Sequence, residues 1–152
     1  MSETEATHNG ACRCGQVQLK VRGKPLITMA CHCSGCQKMT SSAFSLSALY
    51  PLDVVDISGL EPVIGGMHGE MRHHFCPHCL SWMFTRAEMM GPLVNIRSSM
   101  LDNVAELAPF IETGTREKLE WAQTSAVHSY AMFAPKEDFP MLMQAYAQSI
   151  IG

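Results

Sequence analysis

The sequence predicts a mainly β protein closed by a C-terminal α-helix. Three observations carry this. Short stretches alternate apolar and polar residues, as half-buried strands do. Glycine, proline and serine separate these stretches as turns. A helical apolar period occurs only near the C-terminus.

Taken in order, residues 1–9 read as a flexible tail. Residues 16–22, QVQLKVR, place Val17, Leu19 and Val21 on one side and Gln16, Gln18, Lys20 and Arg22 on the other. That is a half-buried strand, and Gly23 and Pro25 end it. Residues 26–30 form a short apolar strand delivering Cys31. Residues 43–50 alternate in part, through Phe44, Leu46 and Ala48. Residues 53–58, DVVDIS, are a short strand before a Gly/Pro-rich stretch at 59–69. Residues 70–75 set Met71, His73 and Phe75 on one side and lead to Cys76. Trp82 and Phe84 resume the alternation, and residues 93–97 are a further strand. In the tail, Asp138 reads as a helix N-cap with Pro140 in the first turn. Phe139, Leu142, Met143, Tyr146 and Ile150 then recur at helical spacing. The helix is expected to pack on its own core, a partner-facing helix being the alternative. The twelve methionines fit either role.

The chain has 152 residues, 47% hydrophobic and 16% charged, which fits one folded domain over 10–134 with the helical segment 135–152 packed on it. A net charge of −3 argues against the basic surface that nucleic acid or an anionic membrane requires. No apolar run is long enough to span a bilayer. The opening residues, MSETEATHNG, are acidic and polar, unlike a secretory signal or transit peptide. The expectation is a cytoplasmic monomer or homodimer.

The seven cysteines carry the chemistry. They fall into three groups: Cys12 and Cys14; Cys31, Cys33 and Cys36; Cys76 and Cys79. An odd number argues against a disulfide framework, and thiols at short spacings suit zinc. Groups of two, three and two cannot make two closed four-thiolate sites. Joining the pairs gives one closed, structural site from Cys12, Cys14, Cys76 and Cys79. Cys31, Cys33 and Cys36 are then left with three ligands and an open position, the mark of a catalytic site. One alternative is that His32, His74 or His78 closes this second site and makes it structural. Another is a redox dithiol at Cys76 and Cys79.

The ordered motifs resemble the glutathione-dependent formaldehyde-activating enzyme family, also called the GFA or CENP-V/GFA domain. GACRCGQVQLKVRGKP is similar to the family's opening strand and C-x-C-G turn. CHCSGCQK resembles its C-H-C-x-x-C element, FCPHC its knuckle, and MLDN the end of its G-T-L-D-D turn. The likeness runs from Gly10 to about Asp102. It implies an Mss4-like fold of stacked β-sheets with zinc knuckles. It implies a structural zinc on Cys12, Cys14, Cys76 and Cys79, and a catalytic, less fully occupied one on Cys31, Cys33 and Cys36. It also implies a carbon–sulfur lyase activity joining formaldehyde to glutathione. Three residues depart from the family pattern: Ser41, Leu80 and Ser99 stand where glycines are usual.

On this reading the partners are a small-molecule thiol and an aldehyde. The thiol would be ionised at the open metal and attack the carbonyl. His32 and His78, with His73 and His74, are the candidate acids for the new hydroxyl. Lys38, Arg72 and Arg97 are candidates to bind substrate carboxylates. The rival readings are a zinc-stabilised binding or scaffold module that is no enzyme, and a thiol redox sensor.

Overall fold

The computed structural model describes residues 5–67 and 69–151. The parts of the expected tail and helical segment at 1–4 and 152 lie outside the described residues. The protein is mainly β, with eleven strands among the described residues and a C-terminal helix. They gather into two compact units, each assembled from two stretches of chain: residues 1–25 with 49–106, and residues 26–48 with 107–152.

The first unit contains a three-stranded antiparallel sheet in the order β1 (Thr7–Ala11), β2 (Val17–Arg22), β5 (Val55–Gly59). In β2 the alternation is complete: Val17, Leu19 and Val21 are buried, and Gln18, Lys20 and Arg22 are exposed. The strand β1 begins at Thr7, inside the stretch read as a tail, because its backbone pairs with β2 from Thr7↔Arg22 to Ala11↔Gln18. THNGA shows no apolar period, so pairing and not pattern makes it a strand. The same unit holds four antiparallel neighbours, β6 (Val63–Gly65), β7 (Met71–Phe75), β8 (Trp82–Ala87) and β9 (Leu93–Arg97). Met83, Val94, Ile96 and Leu101 are fully or almost fully buried there.

The second unit is built on β3 (Ile27–Cys31), helix α1 (Ser34–Thr40), β4 (Ser45–Pro51), β10 (Ile111–Thr113), β11 (His128–Ser129) and helix α2 (Phe139–Ser149). The chain passes to the other unit within β4. Strand β10 lies parallel to β3, with Ala30 opposite Glu112 and Cys31 opposite Thr113. Strand β11 continues the parallel set on the far side of β10. Helix α2 packs on β3, with Leu142 and Tyr146 buried and the Tyr146 ring 5.5 Å from that of Phe110. Asp138 does not cap α2. It has helical backbone angles and no capping bond, after a single 3-10 turn at Lys136–Asp138. Its carboxylate instead accepts a hydrogen bond from the Tyr130 hydroxyl at 3.4 Å.

No helix is long and apolar enough to cross a membrane.

Candidate metal centres

The first unit brings Cys12, Cys14, Cys76 and Cys79 together, their sulfurs all within 4.8 Å of one another. Two tight turns do this. In one, Cys12 N–H bonds Val17 O and Gly15 N–H bonds Cys12 O, each at 3.0 Å. In the other, Leu80 N–H bonds Cys76 O at 2.9 Å, and Cys76 N–H bonds Ser81 O at 3.0 Å. Each turn aims backbone N–H groups at sulfur. Val17 donates to Cys12 Sγ at 3.3 Å, and His78 and Cys79 both donate to Cys76 Sγ at 3.4 Å.

Four thiolates at about 2.3 Å from one zinc ion stand about 3.8 Å apart. Cys12 and Cys14 sulfurs are 3.5 Å apart, and Cys14 and Cys76 sulfurs 3.7 Å. These donors fit a tetrahedral soft-metal site, and the spacing is far too long for disulfides. Burial pushes the Cys79 thiol up. Hydrogen bonds from the Ser81 side chain and from the Cys14 and Ser81 backbone outweigh it and bring the thiol down to about 5.

The second unit gathers Cys31, Cys33 and Cys36, again within 4.8 Å of one another. Cys31 ends β3. Cys33 caps α1 in an extended conformation, its sulfur accepting from Cys36 N–H at 3.4 Å. The Cys36 thiol donates to Cys31 and holds it down at about 5. Burial opposes this shift, while the Cys33 backbone and the Thr113 hydroxyl add to it. Cys36 is pushed up by the same contact. Clustered this closely, the three sulfurs could hold a soft metal ion. Among the described residues no histidine or carboxylate ligand atom joins either cluster.

The expected histidines lie elsewhere. His32 is fully buried, its Nε2 2.8 Å from Glu112 Oε1. His78 is exposed in the Cys76–Cys79 turn. His73 Nδ1 lies 2.9 Å from the Thr85 hydroxyl, with its ring edge-on to Trp82. His74 stacks on Phe84, and burial, with Arg86 and Arg72, lowers its pKa. Arg97 is buried with its guanidinium 4.0 Å over Trp82, and Arg72 is exposed. Lys38 is exposed along an open groove of about 550 Å³ beside α1, with Gln37, Ser41 and Trp121 also lining it.

Two of the expected glycine positions explain themselves. Ser41 and Leu80 are the non-glycine residues with positive φ among the described ones, at 54° and 60°. Both turns keep a left-handed conformation without the glycine that would favour it. Ser99 lies in a 3-10 turn and needs none.

Sequence reasoning missed Glu112 and Gly114. Glu112 accepts from His32, from Ser129 Oγ at 2.7 Å and from Thr124 Oγ1 at 3.1 Å. Gly114 has φ of 65° and packs directly on Cys33. Neither belongs to a motif or a period, so no local signal marks them.

A family profile described as glutathione-dependent formaldehyde-activating enzyme matches residues 7–117. Among solved structures, the crystal structure of a Rhodobacter sphaeroides protein is similar at 20% sequence identity. The match covers 62% of this chain and 87% of that one, with a TM-score of 0.48. No curated protein matches the chain.

Proposed function

The chain belongs to the glutathione-dependent formaldehyde-activating enzyme family, and on that premise we propose that it joins a small thiol, glutathione or one like it, to formaldehyde or another aldehyde. Cys12, Cys14, Cys76 and Cys79 would hold a structural zinc, and Cys31, Cys33 and Cys36 a second one. Bound at the triplet, zinc would supply the ionisation of an incoming thiol and leave its sulfur nucleophilic. The observation that carries this reading is the donor count. The triplet offers three sulfurs and gains no fourth ligand from any described histidine, cysteine or carboxylate, so a coordination position is left for the substrate.

In the reaction a carbon–sulfur bond forms, the carbonyl π bond breaks, and the thiol proton is replaced by one on the new hydroxyl. His32, sealed from solvent and bonded to Glu112, is not the donor of that proton. Water serves. The chain's own contribution is to hold three thiolates in one small volume and to orient the two reactants. The partners on this reading are a small thiol and an aldehyde in the cytoplasm, and the net charge of −3 disfavours nucleic acid.

Cobalt-substituted protein tests the reading. With metal confirmed in the triplet, glutathione should strengthen the thiolate-to-metal absorption, and S-methylglutathione should not. Identical spectra with both would leave a zinc-stabilised binding module in its place.

A further inference from the structure

We propose that the buried His32–Glu112 pair is the positioning element of the three-cysteine site, a role that rests on reading that triplet as a metal centre. His32 stands between Cys31 and Cys33 in sequence, so whatever fixes its backbone aims both flanking sulfurs. It is fixed at three points. Its N–H donates to Thr113 O at 2.9 Å. Its carbonyl accepts from Gln37 Nε2 at 2.8 Å, and the same Gln37 nitrogen donates to Glu117 O at 3.1 Å. Its ring nitrogen Nε2 lies 2.8 Å from Glu112 Oε1.

Glu112 is itself braced. Ser129 and Thr124 donate to its two oxygens, and Lys118 Nζ lies 3.5 Å away. The carboxylate therefore ties β10, β11 and the segment 118–124 to the turn that carries the thiols. An ionised carboxylate only accepts, so Nε2 carries the ring proton. The other nitrogen, Nδ1, is buried without a partner.

A structural role alone does not account for this pair. Two buried polar groups are expensive to desolvate, and an apolar pair of similar volume commonly packs as well or better. The position of the pair, at the ligand turn, does account for it. The groups bonded to metal ligands commonly tune metal affinity by 10–100-fold. A site with three protein ligands depends on such bracing more than one with four. The four-cysteine cluster, whose turns are braced by N–H···S bonds, is the control within the same molecule.

The test is cobalt affinity at each cluster in the full chain, read from thiolate-to-metal absorption against a competing chelator. Glu112→Gln keeps the volume but loses the charge and turns one acceptor into a donor facing Ser129. It should weaken the triplet by about 10–100-fold and shift its absorption, leaving the four-cysteine cluster unchanged. His32→Gln places an N–H near the position of Nε2 and should retain most of the affinity. The double variant His32→Leu with Glu112→Leu should melt at or above the wild-type temperature yet bind cobalt weakly at the triplet. Wild-type affinity at the triplet in that double variant would overturn the proposal. So would equal weakening of both clusters in folded Glu112→Gln protein. A wild-type triplet that takes no cobalt at all would remove the metal reading itself.

Discussion

A β-carbon on Gly114 would lie 2.9 Å from the backbone nitrogen of Cys33 and 3.3 Å from its Cα. Gly114 also has a left-handed backbone, with φ of 65°. Both conditions exclude a side chain at the point where β10 passes the thiol turn. Gly114→Ala should therefore cost about 2 kcal/mol or more and weaken cobalt binding at the triplet. Thermal melts and a cobalt titration check this, and a variant with wild-type values in both would show that the backbone there yields freely.

The opposite change is expected at Ser41 and Leu80. Each holds a positive φ that glycine adopts without steric cost. Both residues are exposed, so little packing is lost by trimming them. Ser41→Gly and Leu80→Gly should each raise the denaturation midpoint, by up to about 1 kcal/mol in stability. A lowered midpoint in either would mean that its side chain contributes more than its backbone strain removes.

Acid stability should report on Glu112. Burial raises its pKa, but hydrogen bonds from Ser129, His32 and Thr124, with Lys118 nearby, prevail and hold it below the ordinary value of 4.5. The carboxylate therefore contributes stability that is fully present above the unfolded pKa and is lost as pH falls through the lower, folded one. Between pH 5 and 3, wild-type protein should lose more stability than Glu112→Gln. Parallel curves for the two proteins would remove Glu112 from the acid response. Metal analysis at each pH separates this response from acid release of metal, which the variant's weaker triplet would show earlier.

Chelation should proceed in two stages. A four-thiolate site closes a loop between residues 62 apart in sequence and is coupled to folding of its unit, whereas the triplet spans only residues 31–36 and lacks one protein bond. A mild chelator should empty the triplet first with little change in melting temperature, and a strong one should then lower it sharply. Metal analysis alongside calorimetry follows both stages, and a single step would contradict the inequality of the sites.

Helix α2 should be a stabilising element of its unit. Leu142 is fully buried and Tyr146 nearly so, at 5% exposure. Leu142→Ala should cost about 2–5 kcal/mol, measured by urea denaturation. A loss under 1 kcal/mol would mean that the helix is anchored elsewhere.

What was legible in the sequence was what repeats or clusters locally. The alternation of Val17, Leu19 and Val21 marked β2, and the cysteine spacings marked both clusters. What was hidden depends on distant partners. Glu112 meets His32 across 80 residues, and a lone glutamate after an isoleucine carries no sign of that. Strand β10 is three residues long and exists because β3 pairs with it. Helix α1 contains a glycine and no buried residue, so neither propensity nor period announced it. Asp138 had the right residue type for a cap, but the preceding 3-10 turn left its side chain facing Tyr130 instead.

The parallel pairing of β3 with β10 has a consequence for how the protein is born. A ribosome releases Cys31, Cys33 and Cys36 together, long before Thr113 and Gly114 exist to brace them. The nascent triplet is thus a bare, flexible cluster of thiols for the time it takes to synthesise about 80 more residues, several seconds at about 5–20 residues per second. During that interval it can scavenge whichever soft metal is at hand, or be oxidised. The four-cysteine cluster completes earlier, once Cys79 has emerged. The two clusters thus become complete at different times in synthesis, although the triplet's thiols are the first three to emerge together.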